Sequence, residues 1–275
     1  MNNQPTCLPT GKIGILDSGV GGLSIWKEIV RKLPNESTIY LADSVNCPYG
    51  DKTPKEIYIL AKRLVEFLLE KKVKLIVLAC NTITVFCIDR LRSDFPQIPI
   101  VGTVPAVKTA AQMSKNKKIG ILSTESTAKS NYQKGLIKKF AKDCFVINKG
   151  DSELVPYIEK GDTKSEKVKK ILRDALEEFL TKGVDTITLG CSHFPFLKTQ
   201  IQDIMGDKIK ILDSGKAIAR QVKRVLTNNN HLYLSNNPSY TFYTTGNTEE
   251  FTQVSRRLLG RKISPSINEV HKVSL

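Results

Sequence analysis

Short apolar runs alternate with longer amphipathic stretches along the whole chain. The first series is Ile13-Gly14-Ile15-Leu16, Ile39-Tyr40-Leu41, Leu75-Ile76-Val77-Leu78 and Ile98-Pro99-Ile100-Val101. A second series follows: Ile119-Gly120-Ile121-Leu122, Cys144-Phe145-Val146-Ile147, Thr186-Ile187-Thr188-Leu189 and Ile209-Lys210-Ile211-Leu212. Near-continuous apolar runs of this length suit strands covered on both faces. The stretches between them have helical spacing. Glu56 to Lys71 sets Ile57, Leu60, Leu64, Phe67 and Leu68 on one face, and Val168 to Lys182 does the same with Ile171, Leu172, Ala175, Leu176 and Phe179. Strand alternating with helix predicts an α/β fold with parallel sheets and right-handed crossovers.

The two series match. Lys12-Ile13-Gly14-Ile15-Leu16 aligns with Lys118-Ile119-Gly120-Ile121-Leu122, and Leu78-Ala79-Cys80-Asn81-Thr82 aligns with Leu189-Gly190-Cys191-Ser192-His193. Two α/β units of one ancestry account for this. Their boundary is expected near Gly102-Thr103-Val104-Pro105, and the second unit is expected to end near Leu212-Asp213-Ser214-Gly215. Beyond it the pattern predicts a helix around Ala217 to Leu226, an Asn-rich loop, a strand at Tyr240 to Thr244 and a helix around Glu249 to Leu259. Periodicity alone does not place this last segment against either unit.

Composition narrows the class. The 275 residues are 40% hydrophobic and 25% charged, an ordinary globular balance with room for two domains. No stretch approaches the roughly 18 apolar residues of a membrane span. Met1 to Lys12 is polar and lacks the apolar core of a signal peptide, so a cytoplasmic location is expected. The net charge is +15, but the lysines are scattered and no aromatic residues interleave them as a stacking platform for nucleic acid would require. A solvated basic surface is the preferred reading, and no nucleic-acid or membrane partner is expected. Six cysteines are present and none forms a CxxC pair, so neither a disulfide framework nor a zinc ribbon is expected.

Two of these cysteines carry candidate chemistry. Cys80 and Cys191 each lie just past a predicted buried strand, at the edge where open α/β sheets bind ligands. A helix is expected right after each, and its dipole would lower the thiol pKa from about 8.5. Two such thiols would face each other across the cleft between the units. That arrangement suits inversion of an acidic carbon centre: one sulfur removes a proton from one face and the other delivers one to the opposite face. Each sulfur would lie about 3–3.5 Å from the carbon, so the sulfurs would be roughly 7 Å apart. A buried cysteine is also a common small hydrophobe. Equivalent positions in a repeat favour the functional reading.

Three further motifs are less specific. Asp17-Ser18-Gly19-Val20-Gly21-Gly22 links the first strand to a helix, and its N–H groups suit a carboxylate. It lacks the Gly-Lys-Ser/Thr ending of a P-loop. Asp17 could meet a substrate ammonium, orient a thiol, or serve as a helix N-cap. Pro48-Tyr49-Gly50 offers a hydroxyl and an N–H to a carboxylate, or is an ordinary turn. His193, two residues past Cys191, could share a proton with that thiol or be a structural histidine.

Taken together, Asp17 to Gly22, Ala42-Asp43 with Pro48-Tyr49-Gly50, Ala79-Cys80-Asn81-Thr82 and Gly190-Cys191-Ser192-His193-Phe194-Pro195 resemble the signature blocks of the glutamate racemases, in the aspartate/glutamate racemase family. The blocks fall in the family's order, and the resemblance covers nearly the whole chain. It implies cofactor-independent, two-base interconversion of L- and D-glutamate, supplying D-glutamate for peptidoglycan, with no metal. It implies Cys80 and Cys191 as the catalytic pair, with Asp17 assisting Cys80 and His193 assisting Cys191. Asp17, Ser18, Tyr49, Gly50, Asn81, Thr82, Ser192 and His193 would hold glutamate, and Asp43 and Glu159 would be auxiliary acids. The fold implied is two pseudo-symmetric domains, each a mostly parallel sheet flanked by helices, with the active site in the cleft between them. Residues 1–103 with 213–275 would form one domain and 104–212 the other, the C-terminal segment completing the first sheet. A homodimer is the expected assembly.

The chain departs from the family's pattern at a few points. Ser192-His193-Phe194-Pro195 stands where Thr-His-Tyr-Pro is usual, Thr84 stands near a position often held by a smaller residue, and Cys47 adds an oxidisable thiol close to the site. The competing readings are a racemase for aspartate or a hydantoin, and a non-catalytic basic binding protein on the same fold.

Overall fold

The computed structural model describes residues 11–233, 235–260, 263, 266–267 and 269–275. The polar N-terminal stretch up to residue 10, with Cys7, lies outside the described residues. In the first half, β1 (Ile13–Asp17), α1 (Leu23–Lys32), β2 (Thr38–Ala42), α2 (Pro54–Glu70), β3 (Leu75–Leu78), α3 (Asn81–Asp94) and β4 (Ile100–Gly102) follow the predicted alternation. The second half runs through α4 (Val107–Met113), β5 (Lys118–Ser123), α5 (Glu125–Lys129), α6 (Asn131–Phe140), β6 (Phe145–Gly150), α7 (Leu154–Glu159), α8 (Glu166–Thr181), β7 (Thr186–Gly190), α9 (Lys198–Met205) and β8 (Lys210–Leu212). The C-terminal segment adds α10 (Gly215–Asn228), β9 (Tyr240–Thr244), α11 (Thr248–Leu259) and β10 (Val270–Lys272).

Local chemistry sets many of the element ends. Thr53 and Glu56 form a reciprocal capping box at the start of α2, with Pro54 in its first turn. Ser165 caps α8, and Asn247 caps α11 by accepting from the N–H groups of Glu249 and Glu250. β4 starts after Pro99, which has no N–H to give to a ladder and contributes only its carbonyl, accepting from Ile76 N.

The strands form two sheets flanked by helices. The first has the order β10-β9-β2-β1-β3-β4 and the second β6-β5-β7-β8. All the described pairings are parallel. The sequence repeat reappears as topology, because β2-β1-β3-β4 and β6-β5-β7-β8 have the same order. In each, the chain leaves the central strand to one side and then crosses to the other. The helix faces read from the pattern point inward: Ile57, Leu64, Phe67 and Leu68 of α2 are buried, as are all five named residues of α8, while Leu60 is half-buried.

The C-terminal segment returns to the first sheet. β9 lies beside β2 in the register Thr38↔Tyr240 to Ala42↔Thr244, and α10 packs on α1. Trp26 fixes this joint. Its ring meets Phe242 edge-on at 5.2 Å, and its Nε1–H donates to Thr38 Oγ1 at 2.9 Å. Lys74 and Glu36, both buried, form an ion pair at 2.6 Å, and Glu36 also accepts from Tyr233 N. The expectation that every strand is covered on both faces does not hold at the sheet edges. β6 and β8 are mostly half-exposed, and Phe145 is 51% exposed, because among the described residues no strand flanks either on its outer side. Among the described residues no helix is long and apolar enough to cross a membrane.

Candidate active site

Each sheet has one point where the chain reverses direction across it, and such switch points are where open α/β sheets bind ligands. In the first sheet this point lies between β1 and β3, which end at Asp17 and Leu78. Ser18 and Cys80 follow those ends. In the second sheet it lies between β5 and β7, ending at Ser123 and Gly190, with Thr124 and Cys191 following. The two switch points share one nearly closed cavity. The first half lines it with Ser18, Pro48, Tyr49, Gly50, Cys80, Asn81 and Thr82. The second half contributes Thr124, Val155, Cys191, Ser192 and His193.

The glycine-rich turn joins the halves. Asp17 Oδ2 accepts from Gly19 N at 3.1 Å and Gly22 N at 3.0 Å, so this carboxylate caps its own turn. Its other oxygen accepts from Ser192 Oγ at 3.2 Å. Val20 N donates to Glu159 Oε1 at 2.8 Å, and Ser24 Oγ donates to the Ser192 carbonyl at 2.8 Å. The N–H groups expected to hold a ligand carboxylate therefore meet two of the protein's own carboxylates. Close approach explains the glycine at position 21, where a Cβ would stand 2.5 Å from His193 Nδ1 and 2.6 Å from Ser192 Oγ.

The two thiols sit in unlike surroundings. Cys80 is the N-cap of α3, and Ser18 Oγ donates to its sulfur at 3.8 Å. A helix start by itself predicts a lowered pKa. Instead burial, followed by the nearby Asp17 charge, pushes the Cys80 thiol up to about 12, against a smaller opposing pull from the Ile83 N–H. Burial also raises the pKa of the Asp17 carboxyl, although the His193 charge and the turn N–H groups oppose it.

Cys191 has no helix directly after it. A short 3-10 turn, Phe194–Leu197, precedes α9, and His193 fills the space. His193 Nδ1 lies 3.6 Å from Cys191 Sγ, and Nε2–H donates to Glu159 Oε1 at 2.5 Å. Burial alone would lower the His193 pKa, but hydrogen bonds to Cys191, Cys47 and Glu159 outweigh it and hold the ring protonated well above its usual range. Burial pushes the neighbouring Cys47 thiol up to about 11. Potential ligand atoms of Cys47, Glu159 and His193 lie within 4.8 Å of one another, and these three residues could hold a metal ion.

Further contacts shape the walls. Tyr49 Oη donates to Asp43 Oδ2 at 2.6 Å, and Asp43 also accepts from Asn46 and Thr245. Asp43 therefore fixes the tyrosine and takes the hydroxyl proton that the sequence reading offered to a ligand carboxylate. Thr82 of the first half links its hydroxyl to those of Thr124 and Thr127 in the second, at 2.9–3.3 Å within the trio. Asn81 Nδ2 donates to the Thr103 carbonyl at 3.4 Å. Asp17, Asp43 and Glu159 are not among the residues lining the cavity; they reach it through Ser192, Tyr49 and His193.

Residues 13–222 match the family model for Asp/Glu/hydantoin racemases. The chain belongs to the Asp/Glu/hydantoin racemase family. A glutamate racemase from Stutzerimonas stutzeri is 39% identical over 90% of this chain and 94% of its own length. Among solved structures, a glutamate racemase isoform from Bacillus anthracis superposes with a TM-score of 0.87 at 32% identity, over 96% of this chain and 98% of that one. The glutamate racemase from Francisella tularensis in complex with D-glutamate gives 0.83 at 30% identity, over 97% and 98%.

Three positions at which the chain departs from the common racemase pattern take part in packing. Ser192 keeps a hydroxyl and spends it on Asp17. Phe194 is fully buried in the core of the second sheet. Thr84 Oγ1 donates to the Cys80 carbonyl at 3.0 Å and accepts from Thr103 N at 3.0 Å, tying the start of α3 to the chain leaving β4. Thr124 and Val155 are cavity residues that sequence reasoning passed over. The repeat held the signal for the first of them, because Leu122-Ser123-Thr124 aligns with Leu16-Asp17-Ser18.

Proposed function

We propose that this chain interconverts L- and D-glutamate by a two-base mechanism with Cys80 and Cys191 as the bases. The observation that carries the reading is that both cysteines, from equivalent switch points of the two halves, line one small cavity. The names of the relatives and the D-glutamate complex favour glutamate over aspartate or a hydantoin. In this reading Cys80 and Cys191 flank the α-carbon. One sulfur takes its proton while the other, holding a proton, supplies the opposite face. Cys80 is the proton-holding partner at rest, since burial and Asp17 disfavour its anion. His193 relays a proton to and from Cys191, and Glu159 keeps the imidazole oriented, the familiar logic of a base held by a third group.

Ser18, Tyr49, Gly50, Asn81, Thr82, Ser192 and His193 bind the substrate, Asp17 sets the charge at Cys80 and anchors Ser192, and Asp43 sets Tyr49. Residues 1–103 with 213–275 act as one domain and 104–212 as the other, with the substrate between them. The reaction supplies D-glutamate for peptidoglycan in the cytoplasm, and the enzyme works as a homodimer. The test is proton NMR of L-glutamate in D2O with purified protein and no added cofactor, combined with chiral analysis of the product. Loss of the α-proton signal with appearance of D-glutamate is expected. Cys80→Ala and Cys191→Ala should each abolish it, and full activity in either variant refutes the two-base assignment. Exchange with aspartate or a hydantoin but not with glutamate would overturn the substrate.

A further inference from the structure

We propose that Cys47, Glu159 and His193 form a binding site for Zn²⁺, and that its occupation blocks the proton relay to Cys191. The three residues come from distant parts of the chain. Cys47 lies in the loop after β2, Glu159 ends α7 and His193 follows β7. Their potential ligand atoms nevertheless lie within 4.8 Å of one another. One thiol, one imidazole and one carboxylate match the donor preferences of zinc, and lack the oxygen-rich set that Mg²⁺ or Ca²⁺ requires.

Tetrahedral zinc, with bonds of about 2.0–2.3 Å, places its ligand atoms roughly 3.4–3.7 Å apart. No separation exceeds 4.8 Å, so none has to contract by more than about 1 Å, while the 2.5 Å contact between His193 and Glu159 must open by a similar amount. Both changes fall within side-chain reach. The Glu159 side chain is 19% exposed and Cys47 is only partly buried, so the movement costs chiefly the hydrogen bond that Glu159 Oε1 accepts from Val20 N. Three protein ligands leave the fourth position to water or to a substrate carboxylate, as in open zinc sites.

Binding is balanced by proton release. Zinc displaces the Cys47 thiol proton to solvent, forming the Zn–S bond, and also displaces the proton that His193 donates to Glu159. No oxidant or reductant takes part. Coordination through Nε2 removes one of the two ring protons and draws Glu159 away, so the ring is no longer a cation with a proton to give Cys191 through Nδ1. The inhibitory consequence rests on the racemase reading above; the binding does not.

The test uses Co²⁺ as a spectroscopic probe and Zn²⁺ in competition, with the full-length protein. One Co²⁺ per chain should give a thiolate-to-cobalt absorption band that Zn²⁺ bleaches. Cys47→Ala should lose the band and weaken Zn²⁺ binding by at least about 10–100-fold, the loss typical of removing even an outer partner of a metal site. Glu159→Gln should weaken binding while keeping the band, which guards against misfolding of the first variant. Cys191→Ala should keep both. With active enzyme, Zn²⁺ should inhibit racemisation reversibly, relieved by a chelator. Equal Zn²⁺ affinity in the wild type and Cys47→Ala, no thiolate band in the wild type, or a band lost in Cys191→Ala and kept in Cys47→Ala would each overturn the site. Metal binding as described without racemase activity would leave the site standing and remove the racemase reading instead.

Discussion

Gly21→Ala adds one carbon where the halves of the molecule touch. Its Cβ would stand 2.5 Å from His193 Nδ1 and 2.6 Å from Ser192 Oγ. Comfortable contact between heavy atoms begins near about 3.5 Å, so both side chains must retreat by about 1 Å. His193 has little freedom, being buried and bonded to Glu159. Its retreat disturbs the 3.6 Å approach of Nδ1 to Cys191 Sγ. A misplacement of about 1 Å in a catalytic constellation costs about 10²-fold in rate. Overpacking costs about 1–3 kcal/mol of stability, and at roughly 2–4 °C per kcal/mol the Tm should fall by about 2–12 °C.

The assay is kcat and KM for both enantiomers, with thermal unfolding of the same samples. The expected result is a folded protein with kcat lowered about 100-fold in both directions, because the relay serves both. Gly135→Ala is the control. It lies within α6 with nothing within 4 Å of the added carbon. It should gain about 0.5–1 kcal/mol and leave kcat unchanged. A folded Gly21→Ala enzyme with wild-type kcat would refute the claim that His193 position governs the rate.

Three other outcomes follow from the contacts. Lys74→Met leaves Glu36 buried without its cation and should cost about 3–5 kcal/mol in urea unfolding, most of it recovered in Lys74→Met/Glu36→Gln. The His193 ring, followed by NMR, should keep its proton well above its ordinary pKa of about 6.5, and Glu159→Gln should move the midpoint down. Because the folded value is raised, the stabilisation is complete below about pH 6.5 and is lost as pH rises through the folded value. Thr53→Ala breaks the α2 capping box and should cost about 1 kcal/mol with no change in kcat.

Hydrophobic period made the central strands legible, since the interiors of β1, β3, β5 and β7 are buried on both faces and carry mostly apolar residues. It could not announce β10, because Val270, His271 and Lys272 form an edge strand in which Val270 is half-buried and the other two are exposed, with no apolar run. The cysteines were legible from the repeat, while Thr124, which the same alignment sets opposite Ser18, was passed over. The Glu159–His193 contact had no local signal. The residues are 34 apart in the chain and meet only because α7 and β7 converge on the glycine-rich turn. Charge was the other failure. A helix N-terminus suggests a lowered thiol pKa, but at Cys80 complete burial and the neighbouring Asp17 dominate. Sequence position reports the dipole, while desolvation depends on everything packed around the thiol.

That asymmetry bears on how a repeat can catalyse a symmetric reaction. L- and D-glutamate are mirror images and have equal free energy in water, so no arrangement of the two halves can bias the equilibrium. What the halves can set is where the protons wait. Two identical thiols would leave the resting enzyme divided between states with both protons, one or none. Here a cysteine stands at each equivalent switch point, but the two environments differ. One thiol faces a buried carboxylate that discourages its anion, and the other faces an imidazole held in the protonated state. On this reading the pair is prepared with a proton to give on the Cys80 side and a partner for proton transfer on the Cys191 side. Each turnover inverts that distribution, and exchange with solvent or return of the opposite enantiomer restores it. The same fold could therefore retain its duplicated geometry while losing its duplicated electrostatics, and the reaction needs both.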